Sequence, residues 1–98
     1  MALKLVWSKR ADQGYARIVK NLKERWTDRE VRIFVRETKH FFDLLIENPH
    51  LLEQTGNRKY LYRGPINRLT ILTYQYKPRK KEIVLVNIRE ARRKTLQK

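Results

Sequence analysis

Apolar side chains recur at Ala11, Tyr15, Ile18, Leu22 and Trp26, in steps of four or three that lay one stripe along an α-helix. Ser8 stands just ahead of the stripe, where its hydroxyl can accept from the free backbone N–H groups of a first helical turn. Thr27-Asp28-Arg29-Glu30 then spells a capping box, in which the Thr27 and Glu30 side chains each satisfy a backbone donor at the other's position. The stripe that follows is wide: Val31, Phe34, Val35, Thr38, Phe41, Phe42, Leu45 and Ile46. Asn48-Pro49 closes it, because the residue before a proline disfavours helical geometry. Two helices with almost no linker predict a helical hairpin.

Beyond about Tyr60 the period changes from helical to alternating. Residues 59–63 (KYLYR), 68–76 (RLTILTYQY) and 82–90 (EIVLVNIRE) are rich in β-branched and aromatic side chains. Gly64-Pro65 and Lys77-Pro78-Arg79-Lys80 separate them as turns, and residues 50–58 form the one longer loop. Residues 3–7 (LKLVW) fit a first strand. The predicted fold class is α+β: an N-terminal strand, a helical hairpin, then a three-stranded antiparallel meander, with both helices on one face of the sheet.

Ninety-eight residues, 41% hydrophobic, fit one domain, 1–98, with a basic tail over 90–98. The formal charge of +14 points to a polyanionic partner such as nucleic acid, a ribosome surface or an acidic protein. Its excess is concentrated late, with thirteen basic and two acidic side chains from Gln54 onward. No cysteine is present, which excludes disulfide and thiol chemistry. The start, MALKLVWSKRAD, meets charge too soon for a signal peptide, and no apolar run approaches the ~20 residues of a membrane span. The expected location is the cytoplasm.

In the last strand, alternation sends Val84, Val86 and Ile88 one way and Ile83, Leu85, Asn87 and Arg89 the other. If the first set meets the helices, Arg89 and Asn87 emerge on the open face. A strand would then hold Arg89 rigidly, as a group that stabilises charge requires. Arg92, Arg93 and Lys94 follow it, and arginine at this density suits phosphate contact. Tyrosine ordinarily suits half-buried strands, which accounts for Tyr60, Tyr74 and Tyr76, and Tyr62, between Leu61 and Arg63, is the candidate to stack a base. Trp7 and Trp26 are expected to pack helix against sheet. His40 and His50 read as packing or surface residues, with no third ligand to suggest a metal. Glu37, Asp43 and Glu47 belong to a solvated helix face in register with Arg36 and Lys39.

LKLVWSKRA, NLKERWTDREVRIFV, the helix end Glu47-Asn48-Pro49, and INRLTILTYQY leading to IVLVNIRE together resemble the RelE/ParE superfamily of type II toxins, over about residues 3–93. The resemblance implies a small sheet with a helical hairpin against it, and a toxin neutralised by a cognate antitoxin that wraps around it. RelE-like members enter the ribosomal A site and cleave messenger RNA. ParE-like members poison DNA gyrase and need no nuclease site.

On this resemblance Arg89 matches the arginine that faces the RNA phosphate, Arg63 lies near a position where ribonuclease members are basic, and Arg68 joins them. Two departures stand against a complete nuclease site. Ile71 occupies a position where ribonuclease members carry arginine, and the end ARRKTLQK lacks their histidine–tyrosine pair. The leading expectation is a ribosome-dependent mRNA endoribonuclease with no cofactor, metal or small-molecule ligand. The alternatives are a gyrase inhibitor without nuclease activity or a non-catalytic nucleic-acid-binding relative.

Overall fold

A computed structural model describes residues 3–56 and 58–91. Strand β1 (Lys4–Trp7) leads through Ser8 into helix α1 (Lys9–Arg25), followed by α2 (Asp28–Leu45) and four further strands: β2 (Glu53–Gln54), β3 (Leu61–Asn67), β4 (Thr70–Lys77) and β5 (Glu82–Glu90). The sheet order is β1-β5-β4-β3-β2, with β1 parallel to β5 and every other pair antiparallel. The meander and hairpin are as the pattern predicts; the sheet gains a two-residue edge strand inside the predicted loop.

Both helix starts follow their caps. The Ala11 N–H donates to Ser8 Oγ at 3.0 Å, and the Thr27–Glu30 capping box is closed in both directions. α1 buries Ala11, Gly14, Ile18 and Leu22 over β5, while α2 buries Val31, Phe34, Thr38, Phe42 and Leu45. Thr38 is tolerated there because its hydroxyl donates to the Phe34 carbonyl at 3.0 Å. The α2 stripe is narrower than predicted, with Val35 left exposed. Trp7 packs edge-on against Phe42 at 5.4 Å, as expected of a helix–sheet contact, yet stays partly exposed. Trp26 ends α1 and flanks an open groove with Ile33 and Leu69.

Gly64-Pro65 does not break the sheet. Both residues lie within β3, and the turn comes later, at Arg68-Leu69. A proline is compatible with this strand because β2 reaches only Tyr62 and Arg63, leaving the outer side of β3 unpaired at Pro65.

β5 holds the expected bounds with a different parity. The buried residues are Ile83, Leu85 and Ile88, where Val84, Val86 and Ile88 are the predicted helix-facing set. The cause is a bulge: Thr73 pairs with Asn87 and Tyr74 with Leu85, so Val86 is an extra residue. Ser8 sits against it, its hydroxyl donating to the Val86 carbonyl at 3.1 Å while its backbone N–H donates to the Leu85 carbonyl at 3.1 Å. The serine that caps α1 thus also ties the bulge in place.

Tyr74 anchors the segment after α2. Its hydroxyl donates to the Pro49 carbonyl at 2.6 Å and accepts from the Leu52 N–H at 3.4 Å. Burial pushes this phenol up to about 12, above its ordinary 10.0. Between those values the unfolded chain has released a proton that the folded state retains. Stability is therefore full below pH 10 and falls as pH rises toward 12. Tyr74→Phe is expected to lose about 1 kcal/mol at neutral pH and to flatten that alkaline decline. Denaturant unfolding of both proteins at pH 9 and pH 11 measures it, and equal alkaline slopes would refute the assignment.

Candidate nucleic-acid interface

Alternate residues of β3, β4 and β5, with a step of three from Val84 to Asn87 across the bulge, point away from the helices and build one open surface. Arg63 pairs across to Thr73, which pairs to Asn87; two residues along, Pro65, Ile71 and Arg89 form the next row. Arg63 and Arg89 are exposed, whereas their neighbours Tyr62 and Ile88 are buried. The two arginines stand two strands and two residues apart, about 12 Å at ordinary strand geometry, close enough for long side chains to converge near Ile71.

The bulge at Val86 decides this arrangement. Counted without it from the buried Ile83 and Leu85, position 89 would face the helices; with it, Arg89 faces the open side beside Asn87. The open-face placement of Arg89 is as the alternation predicts, although the inward set that accompanies it is not.

Arg68 sits in the β3–β4 turn. It shares with Arg63 a depression of about 570 Å³, whose walls include Glu53, Asn67, Ile71 and Ala91. Arg89 does not line this depression but pairs with Ile71, which does. Among the described residues neither Arg63 nor Arg89 forms an ion pair. Guanidinium forks held in this way can bind phosphate oxygens in pairs and stabilise charge developing on phosphorus. Arg92, Arg93 and Lys94 lie outside the described residues.

Tyr62 is not a stacking platform. It lies on the helix side, 6% exposed, with its ring stacked on Tyr74 at 5.2 Å and its hydroxyl 2.8 Å from His50 Nδ1. Register sets this orientation: Tyr62 pairs with Tyr74, and both belong to the buried rows. Burial, then the neighbouring phenols Tyr60 and Tyr76, hold the Tyr62 hydroxyl above its ordinary range. His50 also meets Tyr76 edge-on at 5.6 Å, so it packs on the side of the sheet away from Arg63 and Arg89. Among the described residues no cluster of three His, Asp or Glu side chains could hold a metal ion. No helix among them is long and apolar enough to cross a membrane.

Neither a family model nor a curated protein sequence matches this chain. Solved structures do match it, over nearly its whole length. The chromosomal ParDE toxin–antitoxin system of P. aeruginosa superimposes with a TM-score of 0.74 at 13% identity, covering 93% of this chain and 98% of that one. The isolated RelE toxin of E. coli gives 0.66 at 14% identity, covering 98% and 92%. The fold is that of the RelE/ParE toxins. An arginine-to-alanine variant of E. coli RelE, solved with a peptide of the antitoxin RelBc, matches at 0.60 and 17% identity, covering 99% and 92%. At such identities the RelE/ParE likeness describes architecture, and the side chains on the open face must carry any statement about chemistry.

Proposed function

We propose that the chain is the toxin of a toxin–antitoxin pair and that it cuts messenger RNA on the ribosome, in the cytoplasm. The carrying observation is the pair Arg63 and Arg89, fixed on β3 and β5 of one open sheet face with Arg68 at its rim. In this reading RNA lies across the face with its scissile phosphate between the arginines. The guanidinium groups stabilise negative charge on phosphorus as the 2′-oxygen attacks. An unperturbed arginine is a poor base, so removal of the 2′-hydroxyl proton falls to another group, ribosomal RNA included. The net charge of +14 draws the protein toward the ribosome, and Arg92, Arg93 and Lys94 add to that attraction. The partner that restrains it is an antitoxin whose acidic, amphipathic segment covers the basic face or an exposed sheet edge.

A second reading has its own support. Ile71 places an apolar side chain beside Arg63 and Arg68 and directly across from Arg89. That favours a ParE-like inhibitor of gyrase with no nuclease site. A cell-free translation reaction separates the two. With added protein, primer extension on the translated message is expected to show new 5′ ends that require ribosomes. Intact message together with loss of gyrase supercoiling would replace the first reading with the second.

A further inference from the structure

The far end of the sheet from Arg89 carries a second basic surface with a different composition. The β4–β5 turn brings Lys77, Arg79, Lys80 and Lys81 beside the start of β3, where Lys59 and Tyr60 stand. The two non-glycine residues with positive φ among the described residues both fall here: Tyr60 at 67° and Lys81 at 55°. Left-handed backbone suits glycine or asparagine and costs an aromatic residue roughly 1 kcal/mol or more. It is held by the Tyr76 N–H, which donates to the Tyr60 carbonyl at 2.8 Å, and by the Lys4 N–H, which donates to the Lys81 carbonyl at 3.0 Å.

This conformation turns the Tyr60 ring outward. It is 39% exposed, in contrast to the buried Tyr62 two residues on. The ring leans edge-on against Tyr76 at 6.1 Å, and the Lys59 ammonium lies 5.8 Å from its centroid. Tyr60, Gln75, Tyr76, Lys77, Arg79 and Lys80 line a shallow depression of about 420 Å³, within the range of small-ligand sites. A solvated turn needs basic side chains at most. It does not need an aromatic side chain held at a backbone angle that glycine would adopt freely, and such outliers gather where a surface binds something. An exposed ring bordered by cations and a side-chain amide matches the parts of a single-strand site, stacking for a base and charge for the phosphates beside it.

We propose that the Tyr60 corner is a second nucleic-acid contact, in which the Tyr60 ring stacks one base of a single strand and Lys77, Arg79 and Lys80 hold the flanking phosphates. The Tyr60 ring rests on Tyr76, which shares the sheet side of the buried Ile83, so this contact lies apart from the open face that carries Arg63 and Arg89. It does not depend on whether that face cuts RNA, because it concerns binding without the ribosome.

The test is fluorescence anisotropy with the full chain and a labelled unstructured 12-nucleotide RNA, across a salt series. Tyr60→Gly removes the ring and relaxes the backbone, so its melting temperature should hold or rise while affinity falls about tenfold. Tyr60→Phe keeps the ring and should bind within about twofold of the parent. Replacing Lys77, Arg79 and Lys80 together with alanine should lower the slope of log affinity against log salt by about 2. Unchanged affinity in Tyr60→Gly overturns the proposal. So does a loss confined to the triple variant, which would make the corner a general polyanion surface. Loss of ribosomal cleavage in Arg63 or Arg89 variants leaves this result untouched, so the two readings fail separately.

Discussion

Gly14→Ala should lower the melting temperature of the protein by roughly 10 °C, although alanine is the better helix former. In an exposed helix the exchange would stabilise by about 1 kcal/mol, since glycine leaves more conformational freedom to lose on folding. Gly14 is buried in the middle of α1, where the helix crosses β5, and a Cβ built on it would overlap the Ile88 carbonyl. That atom is strand backbone and cannot turn aside as a flexible side chain does. The helix must lift or β5 must shift, at the roughly 1–3 kcal/mol usual for overpacking. For a domain of this size each kcal/mol moves the midpoint by about 4–8 °C. Thermal unfolding followed by circular dichroism measures it, and a midpoint equal to or above the parent's would mean that α1 and β5 do not meet this closely. The contact bears on function as well, because Ile88 is the residue before Arg89.

Much of this architecture could be read from local chemistry. Ser8, the Thr27–Glu30 box and the stripe from Val31 to Leu45 announce the helices, because caps and helical spacing act within a few residues. The bounds of β5 are equally plain. Its facing is not: Ile83, Val84, Leu85 and Val86 are all apolar, so alternation offers no way to tell inside from outside. The choice is made from a distance, by the Ser8 contacts to Leu85 and Val86 and by the bulge they accompany. Arg89 nevertheless emerges where expected, because Ile88 before it is inward in both accounts. Pro65 misleads in another way. A proline ends a central strand but is compatible with an outer one, and nothing local to residues 59–67 states that β3 is nearly an edge. Tyr62 and Tyr60 differ by one pleat repeat in the sequence and by burial in the fold. The distinction rests on the pairing of Tyr62 with Tyr74 and on a positive φ at Tyr60, neither of which composition discloses.

If RNA lies across the open face, Arg89→Ala should reduce ribosome-dependent cleavage by on the order of 10²–10³-fold, the usual loss when one preorganised charge-stabilising donor is removed. Stability should change little, since Arg89 is exposed and surface substitutions ordinarily stay within about 0.5 kcal/mol. An unchanged melting temperature is thus part of the prediction. Arg89→Lys tests what the side chain supplies. Lysine restores the positive charge without the planar fork, so activity should recover only in part if paired contacts to phosphate oxygens matter, and nearly in full if a point charge suffices. Arg63→Ala should fall in the same direction. The double variant should lose less than the product of the single losses if both groups act on one phosphate, because groups that work as a unit are not additive. Independent, multiplying losses would instead place the two arginines on different phosphates of the strand. Full cleavage by Arg89→Ala would remove β5 from the chemistry altogether. Gyrase inhibition that survives the same substitution would then show that the protein acts on gyrase without Arg89.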